Sequence, residues 1–127
     1  MEGRDIMKQG KIIEAYAVLN TLSNENKLPW RVSRQLFDLR KLLHPTWEYW
    51  ENERVKLVER FGETDPATGN ISVTPENMAA FLAEKHELDA LDVDVPGLPV
   101  DIRWPDDVPI LPAHMWTLDG IVDFVEA

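Results

Sequence analysis

Cysteine is absent from all 127 residues, which excludes disulfide frameworks, thiolate metal sites and cysteine nucleophiles together. Long apolar runs are also absent. Nothing approaches the ~20 residues that span a bilayer, and the first residues carry no apolar signal segment, so a soluble, unsecreted chain with no membrane partner is expected. The six glycines are scattered, and none belongs to a phosphate-cradling loop. Cations are scarce in one half only. Residues 1–62 hold eleven Lys and Arg against nine Asp and Glu, whereas residues 63–127 hold two against fourteen, giving the formal net charge of −10. So anionic a half repels phosphate backbones, which argues against nucleic acid as a partner, while a basic protein surface would be drawn to it.

What is present indicates a folded chain. Hydrophobic residues make up 44% of the sequence, with five tryptophans among them, enough for a core despite nine prolines. The reading is one domain over residues 7–127, with a helical hairpin in 7–62 and an acidic α+β part in 63–127. Residues 1–6 precede a second methionine, Met7, and are set aside as a cloning remnant or a disordered start.

The strongest pattern lies between Pro29 and Phe61. Leu36, Leu43, Trp50 and Leu57 recur every seven residues, and Leu39, Trp47 and Phe61 fill the intermediate spacings that keep one helix face apolar. Pro45 sits inside this ladder; it lacks an amide hydrogen and crowds the preceding turn, yet the register continues across it, which predicts one kinked helix rather than two. Such a helix would be ~50 Å long at ~1.5 Å per residue, against a radius of gyration of ~14 Å for a globule of this size, so another helix must lie along it. A first helix over Met7–Leu22, with Ile12, Tyr16 and Leu19 as its stripe, supplies that partner through a short loop ending at Pro29. On the solvent face the spacing pairs Asp38 with Lys41, Glu51 with Arg54, and Glu53 with Lys56.

Gly62 suits a left-handed helix cap. The Asp65–Asn70 stretch has the residues of a turn, with Ile71–Val73 as a returning strand. Thr74-Pro75-Glu76 then opens a third helix with threonine as its cap and Met78, Phe81, Leu82, Leu88 and Leu91 as its apolar face. Beyond it the period falls to two. Leu91–Val95 and Val100–Trp104 read as two strands joined through Pro96–Pro99, and Pro112 opens a last helix bearing Met115, Leu118, Ile121, Val122 and Val125. The expected fold class is α+β: a long kinked helical hairpin plus a third helix, with a small strand layer and a short C-terminal helix.

Chemistry is sparse. His44, His86 and His114 fall in three elements without the spacing of a helical metal site. The Asp65–Asn70 loop lacks calcium-ligand spacing, and no serine sits in a nucleophile elbow. Trp30, Trp47, Trp50, Trp104 and Trp116 suit core or interface anchors better than a ligand pocket. No catalytic, metal or cofactor-binding residue is assigned and no cofactor is expected. Leu36, Leu43, Trp47, Trp50, Leu57 and Phe61 are the candidate core or interface anchors.

The succession Leu28-Pro29-Trp30, a long helix closing on Val58-Glu59-Arg60-Phe61-Gly62-Glu63, the turn Asp65-Pro66-Ala67-Thr68-Gly69-Asn70, then Val73-Thr74-Pro75-Glu76-Asn77 and Val93-Asp94-Val95, resembles a group of small uncharacterised proteins encoded by tailed phages and prophages of Gram-positive bacteria. The resemblance carries no functional residues. It implies a phage or prophage protein found in the bacterial cytoplasm or the phage particle. The expected function is non-catalytic, through protein–protein contacts in particle assembly, as a homo-oligomer built along the long helix. An acidic inhibitor imitating nucleic acid toward a host DNA-binding protein is the alternative, and a small-molecule enzyme a third.

Overall fold

The first described residues form a strand. The computed structural model describes residues 6–125. β1 (Ile6–Lys8) pairs antiparallel with β4 (Asp92–Asp94), Ile6 opposite Asp94 and Lys8 opposite Asp92. Ile6 thus belongs to the fold, and residues 1–5 lie outside the described residues. The strand takes two residues from the first helix as read from sequence: α1 runs Gln9–Leu22, with Met7 in β1. Lys8 Nζ donates to Asp92 Oδ1 at 2.8 Å, so the strand pair has an ionic edge.

α2 (Trp30–Phe61) is one unbroken helix of 32 residues containing Pro45. Pro45 has no amide hydrogen for the Lys41 carbonyl, but both residues are exposed, so water can satisfy that oxygen and the helix continues. α1 and the first half of α2 form the expected hairpin. Ile12, Ala15, Leu19 and Leu22 meet Val32, Leu36, Leu39 and Leu43 in a core that Val95, Leu98, Ile102, Leu118, Ile121 and Val122 complete. Ser23 Oγ donates back to the Leu19 carbonyl at 2.7 Å, closing the end of α1.

After α2 comes the short hairpin of β2 (Gly62–Thr64) and β3 (Ile71–Val73), antiparallel as expected. Gly62 is there for a reason other than a left-handed cap. Its backbone is extended, at φ −104° and ψ 171°. A Cβ at this position would lie 2.5 Å from the Val58 carbonyl oxygen and 2.8 Å from Ile71 Cγ2, so the strand can leave the helix this sharply only without a side chain. A 3-10 turn (Pro75–Asn77) then precedes α3 (Met78–Asp89). Thr74 takes the extended backbone of a cap, but its hydroxyl makes no cap hydrogen bond and is buried without a partner among the described residues. Asn77 instead closes the other helix, Nδ2 donating to the Phe61 carbonyl at 3.0 Å.

The strand layer differs from the sequence reading. The two strands flanking Pro96–Pro99 do not pair with each other: β4 joins β1, and β5 (Val100–Arg103) pairs in parallel with β6 (Val122–Val125). Val95 and Leu98 are buried while Pro96, Gly97 and Pro99 are exposed, so the connection turns at the surface with a side chain on either side of the turn anchored in the core. Among the described residues the result is three separate two-stranded pairs in an α+β fold. The parallel pair requires a crossover, which α4 (Pro112–Thr117) provides. The last helix is accordingly shorter than expected. Leu118, Ile121 and Val122 are buried but lie beyond it, because Gly120 turns the chain at φ +84° and Val122–Val125 become strand.

Two substitutions test this account. Leu43→Ala, at a fully buried position shared by both hairpin helices, is expected to cost roughly 3 kcal/mol or more. Gly62→Ala is expected to cost about 1–3 kcal/mol through overpacking against the Val58 carbonyl. Urea denaturation followed by circular dichroism reads both, and parent-like midpoints would contradict the packing described.

Candidate functional site

The six anchors named from sequence divide between two regions. Leu36 and Leu43 lie in the hairpin core, whereas Leu57 is buried far down α2, away from that core. Trp47, Trp50 and Phe61 are half-buried. The division follows from length. At ~1.5 Å per residue α2 extends ~48 Å and α1 only ~21 Å. The second half of α2 is covered by α3 instead, and together with the β2–β3 hairpin these form an arm beside the body.

Contacts made by Gln9, Gly10 and Trp50 fix the arm's base. The buried Gln9 side chain donates from Nε2 to the Leu88 carbonyl at 2.9 Å, and its amide donates to the Leu91 carbonyl at 2.8 Å, joining the start of α1 to the end of α3. Gly10 lets the elements close to this distance; a Cβ there would sit 3.1 Å from Asp89 Cβ. Trp50 Nε1 donates to Asp89 Oδ1 at 2.7 Å while Lys85 Nζ donates to Asp89 Oδ2 at 2.9 Å. Arg54 and Lys85 also lie over the Trp50 ring, at 5.9 and 5.7 Å from its centroid. Trp50 is therefore a half-buried polar anchor between helices, not a core residue.

Along the arm α2 and α3 enclose an open groove of about 420 Å³. Leu57, Leu88 and Leu91 form its floor; the pairs Lys56–Glu53, at 2.8 Å, and Arg60–Glu84, at 2.6 Å, stand on its rim. Arg54 donates two hydrogen bonds to Glu51, at 2.8 and 2.9 Å, which hold the Glu51 carboxyl below its usual range and raise the Arg54 guanidinium. The stability this pair adds is present above the ordinary carboxylate pKa of about 4.3 and fades as pH falls through the lowered value; being partly solvated, it is small. Glu53 likewise raises Lys56. The third expected pair is replaced: Asp38 accepts from Arg34 at 3.0 Å, and Lys41 lies over the Phe37 ring.

The apolar face read for the third helix is mostly uncovered. Of its residues only Leu88 is buried; Phe81 is half-buried, and Met78, Leu82 and Leu91 are exposed, Leu82 by 53%. Between residues 44 and 91 only Leu57 and Leu88 are buried, and Tyr49, Val55 and Ile71 add to the exposed apolar surface. The periodicity correctly marked these positions as apolar but could not show that the chain leaves them bare.

Sequence reasoning missed a second cluster. Tyr16 stacks on Trp47 with ring centroids 5.5 Å apart, and its hydroxyl is hydrogen-bonded to His44 Nδ1 at 2.8 Å. Phe37 and Arg40 lie beside them. None of the five tryptophans is fully buried, and Trp30 and Trp116 are 82% and 84% exposed. Among the described residues, no three His, Asp or Glu side chains converge as metal ligands would, and no helix is long and apolar enough to cross a membrane. Comparison of the chain with protein-family models, with curated proteins and with solved structures finds no match.

Trp50→Ala is expected to cost roughly 2–3 kcal/mol, below the value for a fully buried tryptophan, and Trp50→Phe about 1 kcal/mol through the lost hydrogen bond to Asp89. Chemical denaturation of the two variants checks the order; equal stability of Trp50→Phe and the parent would deny the Asp89 contact its role.

Proposed function

We propose that the chain is a non-catalytic phage or prophage protein that acts through protein–protein contacts in particle assembly, and that its arm is the surface on which a second copy packs. The observation that carries this reading is the near absence of a core between residues 44 and 91 in a segment rich in apolar side chains. Tyr49, Val55, Ile71, Met78, Leu82 and Leu91 are all exposed on this segment, and a concentration of exposed apolar side chains is what an interaction surface needs. A second arm is the proposed match, because each copy would bring the same apolar groove and the same rim charges of both signs, as a self-complementary two-fold contact requires. The exposed aspartates at 92, 94, 101, 106, 107, 119 and 123 favour one further reading, an acidic surface imitating nucleic acid toward a basic host protein.

Salt separates the two. Apolar burial is not screened, whereas exposed charges interact over only ~3 Å at about 1 M salt. Light scattering is expected to find a dimer that persists at about 1 M salt, with no binding to duplex DNA, and Leu82→Glu is expected to convert it to monomer without altering the circular dichroism spectrum. A monomer at all salt concentrations that captures a DNA-binding protein only at low salt would favour the acidic mimic.

A further inference from the structure

The body carries a second surface of opposite character. Tyr16 from α1 and Phe37, Arg40, Lys41 and His44 from α2 line a cleft of about 270 Å³. Phe37 is exposed, and its ring lies between two cations, with Arg34 Cζ 5.5 Å and Lys41 Nζ 5.7 Å from the centroid. The nearby carboxylate on this helix stretch, Asp38, is engaged by Arg34 at 3.0 Å. Arg40 Nε is buried and has no hydrogen-bond partner among the described residues. That nitrogen is closed off by the chain itself, so what the cleft offers an outside group is the charge of Arg40 and Lys41 along its wall. The cleft lies below the ~300–1,000 Å³ of small-molecule pockets and is open to solvent; its size suits side chains projecting from a protein surface.

The chain itself bears a matching surface. Leu111 is 60% exposed, Met115 and Trp116 are exposed beside it on α4, and Asp106, Asp107 and Asp119 are exposed around that helix. An indole can lie against the Arg40–Lys41 cations and Phe37 while a carboxylate is drawn to those two charges. Net charge does not forbid the approach: at physiological ionic strength charges act over only ~8 Å, so the cations in the cleft govern what enters it.

We propose that the Phe37–Arg40–Lys41 cleft is a second docking surface, and that its occupant is the acidic, tryptophan-bearing α4 edge of another copy of this chain. The contact joins unlike surfaces, head to tail, so it extends an assembly beyond the dimer instead of closing it. It deepens the assembly reading, to which it adds a salt-sensitive contact distinct from the apolar arm.

Sedimentation velocity of the full chain at about 50 mM and about 1 M salt tests it. The expected result is species larger than a dimer at low salt that fall back to the dimer at high salt. Arg40→Gln and Trp116→Ala should each weaken the larger species at least about tenfold, as loss of one charge-assisted or stacked contact would, while leaving the dimer and the thermal melt unchanged. Lys41→Glu should abolish them, and Lys41→Glu combined with Asp119→Lys should restore them. Absence of any species beyond the dimer at low salt, or larger species indifferent to Arg40→Gln and Trp116→Ala, would overturn the proposal. Salt-sensitive larger species that dissociate to monomers at about 1 M would leave the cleft standing and refute the arm dimer instead.

Discussion

The constraint from which the rest of this structure follows is the length of α2. A helix of 32 residues with an apolar ladder along its whole length cannot be covered by a partner of 14. α1 buries the first half, and the packed core is concentrated there because the β4–β5 connection and the residues around β6 fold onto the same side. The second half is left to α3, a helix of 12 residues that contributes one buried residue, Leu88. The packed core thus lies at one end of α2, while the other end carries apolar side chains that the described residues leave exposed.

An arm with so little buried surface needs its position fixed by other means. Polar contacts do this at its base: Gln9 bonds through its side chain to Leu88 in the last turn of α3 and through its backbone N–H to Leu91 just beyond it, and Trp50 and Lys85 share the two oxygens of Asp89. Gly10 and Gly62 matter for the space they leave, one at the α1–α3 junction and the other where β2 departs from α2. At the far end, Asn77 closes the α2 terminus, so the hairpin and α3 remain tied to the helix they cover. These contacts position a surface; they do not constitute a core.

How far the sequence disclosed this can be judged element by element. The continuity of α2 through Pro45 was legible because heptad phase is a property of one helix, and the helix supplies both residues whose spacing is read. The β2–β3 hairpin was legible for the same reason, its turn residues being local. The pairing of β5 with β6 was not, since alternation marks a strand but not its neighbour, and the burial of Val95 and Leu98 that separates β4 from β5 is a tertiary fact. Of the anchor residues, Leu36, Leu43 and Leu57 are buried as their spacing suggests, whereas Trp47, Trp50 and Phe61 are half-covered because α1 ends before it reaches the last two. The bare faces of α3 and α4 carry the same apolar letters as a core, and hydrophobic pattern alone does not report whether a partner lies in the same chain.

On the assembly reading, stability and association are linked: the arm is a region of low local stability that gains from a second copy by mass action. Amide hydrogen exchange measured across a range of protein concentrations tests that link most directly. The account predicts that protection of backbone amides in residues 47–91 rises with concentration, while protection in α1 and the first half of α2 stays constant. Arm protection that is the same at every concentration, and as high as that of the body, would contradict it.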